Sequence, residues 1–228
     1  MNRCPLLLFA RPLLVCLLLL LGMTPGRADL LISQREAGKI GKYRTDGSVL
    51  DSSFIRGLST PTGILVSGSF IYVANTASGT IGRCNPDGSA SAVSFITGLS
   101  APVGLTTDGT SLYVANNGSS TIGKYNLSTG AVTNASLVTW LDGPQGVLIH
   151  QGLLFVTDSQ NDSVKRYAPT GGSVQATLPL PAGSIPTTLA STGTGNISCL
   201  LFGTGAGADP GASGPEKGPA NVTRFPTF

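Results

Sequence analysis

The sequence contains a single histidine, His150, and this limits the acid–base chemistry that it can support. His150 follows the apolar stretch Val147 to Ile149 and precedes a glycine-containing turn, which is typical of a solvated histidine. Nucleophilic catalysis needs a base beside its nucleophile and a carboxylate that orients the base. The two glutamates, Glu36 and Glu216, lie far from His150 along the chain. We therefore predict no catalytic residues.

Cysteine chemistry is also limited. Of the four cysteines, Cys84 and Cys199 lie outside the first 28 residues. Two cysteines are too few for a disulfide-rich scaffold and too isolated for a zinc site, which needs paired ligands. A disulfide between Cys84 and Cys199 is expected only if the ends of the chain close and bring the last strands beside the second repeat.

Modification and surface recognition involve other residues. Six Asn-x-Ser/Thr sequons are glycan acceptors if the host is eukaryotic; they begin at Asn117, Asn126, Asn134, Asn161, Asn196 and Asn221. Trp140 is the one tryptophan and stands where a neighbouring repeat has glycine. An exposed Trp140 on a rim would contact sugar or peptide, but we expect it to be packed.

The first 28 residues have the features of an export signal. Arg3 and Arg11 precede the apolar run Leu13 to Leu21 and form a positive n-region. Gly26-Arg27-Ala28 provides the small residues that a signal peptidase recognises. The run is shorter than the ~20 residues of a spanning helix; a retained anchor is the alternative. We predict cleavage of 1–28 and a secreted, extracellular protein, which would be periplasmic in a bacterium.

Removal of this segment changes the charge balance. It carries three of the fourteen basic residues and none of the eleven acidic ones, so eleven of each remain. A neutral mature chain offers no electrostatic reason to bind nucleic acid or an anionic membrane surface. We therefore predict neither nucleic acid nor membrane as a partner after cleavage.

The mature chain repeats every 41 or 42 residues. Three columns keep this spacing: Ile32, Val73, Val114 and Val156; Tyr43, Cys84, Tyr125 and Tyr167; and Pro61, Pro102 and Pro144, each followed two residues later by glycine. Each unit has a Pro-x-Gly turn, four short apolar stretches, and hairpin turns such as Asp46-Gly47. Four antiparallel strands in about 40 residues predict an all-β propeller of about four blades; a β-solenoid is the alternative.

The motifs of the unit suggest a family. Pro-x-Gly-apolar, then Leu-Tyr-Val-Ala-Asn, then Ile-Gly-Lys-Tyr resembles the NHL repeat and the repeats of gluconolactonase-like and streptogramin-lyase-like propellers, over residues 30 to 200. The sequence departs from the NHL pattern, since Asn75 and Asn116 replace the usual aspartate and only Asp158 is acidic. The catalytic His–Glu set of the streptogramin-lyase-like enzymes has no match at Glu36 or Glu216.

The resemblance implies one candidate metal site. Gluconolactonase-like propellers hold a divalent metal in the central channel with oxygen ligands from different blades, which suits calcium. The corresponding column here contains Asn75, Asn116 and Asp158, after Ser33 or Gln34 in the first unit. The alternative is that these side chains hydrogen-bond the loop backbone, and we expect that structural role.

The ends of the array leave its closure open. The propeller is predicted over 29–202 and begins in the second strand of a unit, without a first strand. Leu189 to Ser191 is a candidate to complete that blade, which would close a four-bladed ring. The alternative is a chain that needs more blades or a partner, with a homodimer if the ring is open. Residues 203–228 are rich in Gly and Pro and predict a disordered tail.

Two functions follow from these observations. The first is a secreted NHL-like propeller without cofactor that binds a protein, glycan or small ligand on its rim loops. The second is a metal-dependent hydrolase or lyase of the gluconolactonase-like class, with calcium or another divalent metal.

Overall fold

The computed structural model describes residues 29–191, 197–201 and 221–225, the last two segments as backbone. These residues form five antiparallel sheets, here called blades 1 to 5 in chain order. Within the described residues no helix is long and apolar enough to cross a membrane. The chain is an all-β propeller, as predicted.

Blades 2 to 4 each have four strands in chain order. Blade 2 contains β4 (Pro61–Ser67), β5 (Phe70–Asn75), β6 (Thr80–Cys84) and β7 (Ala90–Ile96). Blade 3 contains β8 (Pro102–Thr107), β9 (Ser111–Asn116), β10 (Thr121–Asn126) and β11 (Val132–Val138). Blade 4 contains β12 (Pro144–His150), β13 (Leu153–Asp158), β14 (Ser163–Tyr167) and β15 (Ala176–Pro179). One-turn 3-10 helices, Asn117–Ser119 and Ser159–Asn161, connect the second and third strands of blades 3 and 4.

Blades 1 and 5 have three described strands each. Blade 1 contains β1 (Asp29–Gln34), β2 (Lys39–Arg44) and β3 (Val49–Ile55), and blade 5 contains β16 (Pro186–Ser191), β17 (Ile197–Leu201) and β18 (Asn221–Phe225). By the 41-residue spacing, β1 corresponds to β5, the second strand of blade 2. Among the described strands, blade 1 therefore lacks an inner strand and blade 5 lacks an outer one.

The four inner strands, β4, β8, β12 and β16, lie side by side around a central channel. The channel has a volume of about 860 Å³ and is lined by residues of all four inner strands and by Leu31, Ile32 and Ser33 of β1. The turns between first and second strands lie on one side of the array, here the hairpin face. The turns between second and third strands, and the connections between blades, lie on the other side, here the loop face.

The core consists of four apolar clusters, each between two successive blades. Each second strand of blades 2 to 4 is buried on both faces, and each face belongs to a different cluster. In β5, Ile71 and Val73 pack toward blade 1, whereas Tyr72 and Ala74 pack toward blade 3. A strand that is buried on both faces reads as a continuous apolar run. This explains the Ile-Tyr-Val-Ala and Leu-Tyr-Val-Ala stretches of the repeat.

Three expectations from the sequence are wrong. Pro-x-Gly does not form a turn, because Pro61, Pro102 and Pro144 begin β4, β8 and β12. Leu189 to Ser191 does not complete the first blade, because β16 pairs with β17. The stretch 203–228 is not disordered throughout, because Asn221–Phe225 pairs with β17 as β18. Each error concerns pairing or packing between distant segments, which local composition does not show.

The inner-strand glycines allow neighbouring blades to approach closely. A Cβ on Gly63 would overlap the carbonyl oxygen of Val103 in the next inner strand, and one on Gly104 would overlap that of Gln145. A Cβ on Gly146 would lie 2.8 Å from the carbonyl oxygen of Thr187. Glycine in a strand often marks such a close backbone approach. Its role in Pro-x-Gly is therefore to bring the inner strands together around the channel.

Candidate functional site

His150 lies at the hairpin-face end of β12, where its Nδ1 is 3.0 Å from the Oγ of Ser191 at the end of β16. This pair could not be predicted from the sequence, because 41 residues separate the two side chains along the chain. Glu36 lies in the turn between β1 and β2, on the loop face. The structure therefore does not bring His150 and Glu36 together, and no catalytic residue is assigned.

Asn75, Asn116 and Asp158 end the second strands of blades 2, 3 and 4, on the loop face, and all three are buried. Asn75 Oδ1 accepts a hydrogen bond from the backbone N–H of Ser59, at 3.4 Å. Asp158 Oδ1 accepts one from the N–H of Asp142, which occupies the position of Ser59 two blades later. In both blades the side chain fastens the connection that leads into the inner strand.

Asp158 makes further contacts through its second oxygen. Oδ2 accepts a hydrogen bond from Nδ2 of Asn161 at 3.0 Å and forms an ion pair with Nζ of Lys165. Its side chain is fully buried, and that of Lys165 is 18% exposed. Burial, together with the charge of Asp158, raises the pKa of Tyr167 to about 12.

Most of the oxygens that these three side chains could offer to a divalent metal are already engaged. Both oxygens of Asp158 and the Oδ1 of Asn75 hold hydrogen bonds or an ion pair, and Lys165 occupies the place of a cation beside the one carboxylate. The channel is lined by other residues. Among the described residues, no three His, Cys, Asp or Glu side chains form a metal-binding group. Asn75 and Asp158 thus hold the backbone of the connections between blades, whereas Asn116 Oδ1 has no hydrogen-bond partner among the described residues.

The structure describes the side chains of one of the two cysteines and of four of the six sequon asparagines. Cys84 is buried between blades 1 and 2, and burial raises the pKa of its thiol. Cys199 lies in β17, where only the backbone is described, so the disulfide stays a prediction. Asn126 and Asn134 are exposed, whereas Nδ2 of Asn117 donates to the carbonyl oxygen of Pro144 and Nδ2 of Asn161 to Asp158. The side chains of Asn196 and Asn221 lie outside the described residues.

Trp140 is the exposed aromatic side chain that distinguishes the loop face. It is 91% exposed, so the expectation that it would be packed is wrong. Its φ is +62°, and the equivalent residues of the two preceding connections are Gly57 and Gly98, with φ of +71° and +73°. Residues other than glycine are uncommon at such φ, and an L residue there is strained by roughly 1–2 kcal/mol. The backbone at this position has a conformation that favours glycine. In this connection the position carries tryptophan, the largest side chain, and exposes it to solvent.

The loop that carries Trp140 is held from both sides. Leu141 is buried in the core between blades 3 and 4, and its N–H donates to the carbonyl oxygen of Ser120. The N–H of Gln160 donates to the carbonyl oxygen of Asp142. A side chain on a loop that is already ordered loses little conformational entropy on binding. Gly143, in the loop of Trp140, lies beside the side chains of Asn117 and Gln160, and Gln160 exposes its amide group at this surface.

Comparison with known proteins shows the fold. No family model matches the sequence, and no curated protein matches it. Catalytically inactive virginiamycin B lyase from Staphylococcus aureus, solved with quinupristin, is 16% identical over 88% of this chain and 67% of that chain, with a TM-score of 0.61. A streptogramin B lyase is 17% identical over 90% and 67% of the two chains, with a TM-score of 0.62.

A chain of the nidogen/laminin complex is also similar, at 17% identity over 77% of this chain and 70% of that chain, with a TM-score of 0.64. The similar structures thus include a lyase and a protein found in a protein–protein complex. Their identity to this chain is low, and the likeness concerns architecture. In its fold, the chain is a β-propeller similar in architecture to these solved structures.

Proposed function

We propose that this chain is a secreted β-propeller that acts as a binding module and takes its ligand on the loop face around Trp140. The observation that carries the proposal is the 91% exposure of Trp140 at a backbone position where the preceding blades have glycine. A tryptophan that is both strained and exposed has no packing role, and such residues occur at ligand-binding sites. Tryptophan is also among the residue types enriched at binding hot spots.

The surroundings of Trp140 indicate the kind of ligand. The indole offers a flat apolar face, and the exposed Gln160 contributes an amide group on a supporting loop. A ligand with an apolar face and hydrogen-bonding groups along its edge matches this combination. A pyranose ring has this character, so a glycan is the ligand that we favour, with a peptide segment as the alternative outcome of the test.

The experiment compares the parent chain with Trp140→Gly on a glycan array and a peptide array. The substitution restores the residue of the neighbouring blades, so we expect a stability within about 1 kcal/mol of the parent. Trp140 is the only tryptophan, and its fluorescence therefore reports ligand contact directly in solution. We expect glycan binding that shifts the parent emission and is lost in the variant. Absence of any Trp140-dependent binding on both arrays would refute the proposal.

A metal-dependent hydrolase or lyase is the second candidate, and one observation favours it. Among the described residues, the buried Oδ1 of Asn116 has no hydrogen-bond partner, unlike the corresponding oxygens of Asn75 and Asp158. Metal analysis of the purified protein before and after chelation tests this reading. A stoichiometric divalent metal that disappears in Asn116→Ala would support it, whereas metal-free protein with unchanged melting would leave only the binding module.

A further inference from the structure

Among the strands that the structure describes, β1 has a partner on only one side. In blades 2 to 5 the second strand pairs with an inner strand on one side and a third strand on the other. Among the described strands, β1 pairs with β2 alone. An unpaired edge presents a row of backbone N–H and C=O groups that can pair with an added strand. Blade 1 therefore offers, beside the channel, the place that an inner strand fills in every other blade.

The side chains of β1 show what the missing neighbour would cover. Leu30 and Ile32 are 44% and 46% exposed. In blades 2 to 4 the equivalent residues are at most 4% exposed: Ile71 and Val73, Leu112 and Val114, and Leu154 and Val156. The same types of side chain are thus buried wherever the blade has its inner strand. The exposed apolar surface on β1 belongs to the incomplete blade.

The other blades define the strand that would fit. In blade 2, Pro61 lies opposite Asn75, Ile64 opposite Val73, and Val66 opposite Ile71. Blades 3 and 4 repeat this register from Pro102 and Pro144. Transferred to blade 1 by the 41-residue spacing, the proline of the added strand lies opposite Gln34. Its fourth residue, which is apolar in blades 2 to 5, then lies opposite Ile32, and its sixth, which is apolar in blades 2 and 4, lies opposite Leu30.

The third residue of the added strand must be glycine. Gly63 and Gly104 each lie so close to the next inner strand that a Cβ would overlap a carbonyl oxygen, that of Val103 or Gln145. For a strand added to blade 1, the next inner strand is β4, and the equivalent oxygen is that of Thr62. This requirement distinguishes specific strand addition from apolar adhesion, which would tolerate a larger residue.

We propose that β1 binds, by strand addition, an extended segment of another polypeptide with the pattern Pro-x-Gly-apolar-x-apolar. Each described inner strand is already paired within its own blade, so a strand from elsewhere fills the position without opening a sheet. Main-chain hydrogen bonds along the edge provide the affinity, and the alternating apolar residues and the glycine provide the specificity. This inference is independent of the ligand proposed for the loop face.

The experiment uses the full chain and a labelled peptide of residues 60–68, which contains the β4 sequence with flanking lysines for solubility. Two control peptides carry a valine for Gly63 or an N-methyl group on the backbone of Leu65. We expect saturable binding of the first peptide and at least tenfold weaker binding of both controls. Hydrogen exchange should show new protection that is confined to β1.

Protein variants complete the test. Ile32→Lys should weaken peptide binding at least tenfold, whereas Val132→Lys, at a 63% exposed site on β11, should leave it unchanged. Equal binding of the glycine and valine peptides would overturn the proposal. So would β1 amides that are already protected in the chain alone, or a dimer that the peptide does not dissociate, because another segment would then occupy the edge.

Discussion

Asp158 and Lys165 occupy positions that hold Asn116 and Gly123 in blade 3. In that blade the hydroxyl of Tyr125 lies over Gly123, where a Cβ would be 2.6 Å from it, so the glycine makes room for the ring. In blade 4 the glycine is replaced by a lysine and the asparagine by an aspartate, and the two new side chains form an ion pair. The two replacements are thus coupled.

Removal of one member of the Asp158–Lys165 ion pair should lower the free energy of unfolding more than replacement of both members. Asp158→Ala leaves Lys165 without its counter-charge and frees the N–H of Asp142, so we expect a loss of about 3–5 kcal/mol of unfolding free energy. Asp158→Asn with Lys165→Gly restores the blade 3 pair and should lie much closer to the parent. Urea denaturation of the three proteins measures the difference. Equal losses in the single and double variants would show that the two side chains act separately.

Asp108 should contribute a pH-dependent part of the stability. It begins the turn between β8 and β9. Burial raises its pKa, but hydrogen bonds from Ser111, Thr110 and the hydroxyl of Tyr113 outweigh this and lower it to about 2. A pKa below the unfolded value of about 3.9 stabilises the fold above that pH. We expect this contribution to disappear as the pH falls from about 4 to 2.

The variant Asp108→Asn tests this expectation. Because the residue is largely exposed, solvent screening should limit the effect to about 1 kcal/mol. The stability gap between parent and variant should therefore be near its full size at pH 5 and should close toward pH 2. A gap that does not change over this range would contradict the assignment.

At the scale of elements, the inner strands depend on glycine for their spacing. Gly104→Val would force a side chain against the carbonyl oxygen of Gln145, which is backbone and cannot move aside. We expect a loss of at least about 1–3 kcal/mol, the usual range for overpacking. Thr188 is the equivalent residue of blade 5 and is exposed, so Thr188→Gly should cost less than about 1 kcal/mol. Thermal melts of both variants make the comparison.

The strands were predictable because each one carries a local signal. The apolar run of the second strand, the Asp-Gly hairpins and the 41-residue spacing located blades 1 to 4, and Leu189 to Ser191 lies within β16. The role of Pro-x-Gly was not predictable, because the atom that excludes a side chain at Gly63 belongs to Val103, 40 residues later. The pairing of β17 with β18 was not predictable either, because these two strands are also distant along the chain.

The candidate site was predictable only in part. The column of Asn75, Asn116 and Asp158 was located correctly, but the sequence did not show that Lys165 would face Asp158 or that Ser191 would face His150. The replacement of glycine by Trp140 was visible in the sequence, whereas its exposure was not. Exposure depends on the neighbouring loops at Ser120 and Gln160, which fix the direction of the connection.

At the scale of the whole molecule, export remains a proposal that a simple experiment tests. Expression of the full sequence in a secreting host should give a mature chain that starts at Asp29, because Ala28 completes the small-residue pattern before it. Mass spectrometry of protein from the medium or periplasm identifies the first residue. Retention of the whole product in the membrane fraction would instead indicate the uncleaved anchor.

The inner-strand glycines have a consequence for the length of the array. Each glycine accepts the backbone of the following blade, so it belongs to one unit but serves the junction with the next. Blade 5 has Thr188 at this position, so a further blade that packed as closely as blades 2 to 5 do would meet a side chain there. Anyone who wished to lengthen the array by grafting a further unit would first have to replace that threonine with glycine. Whether a further repeat can be added after a given blade therefore depends on whether the third residue of its inner strand is glycine.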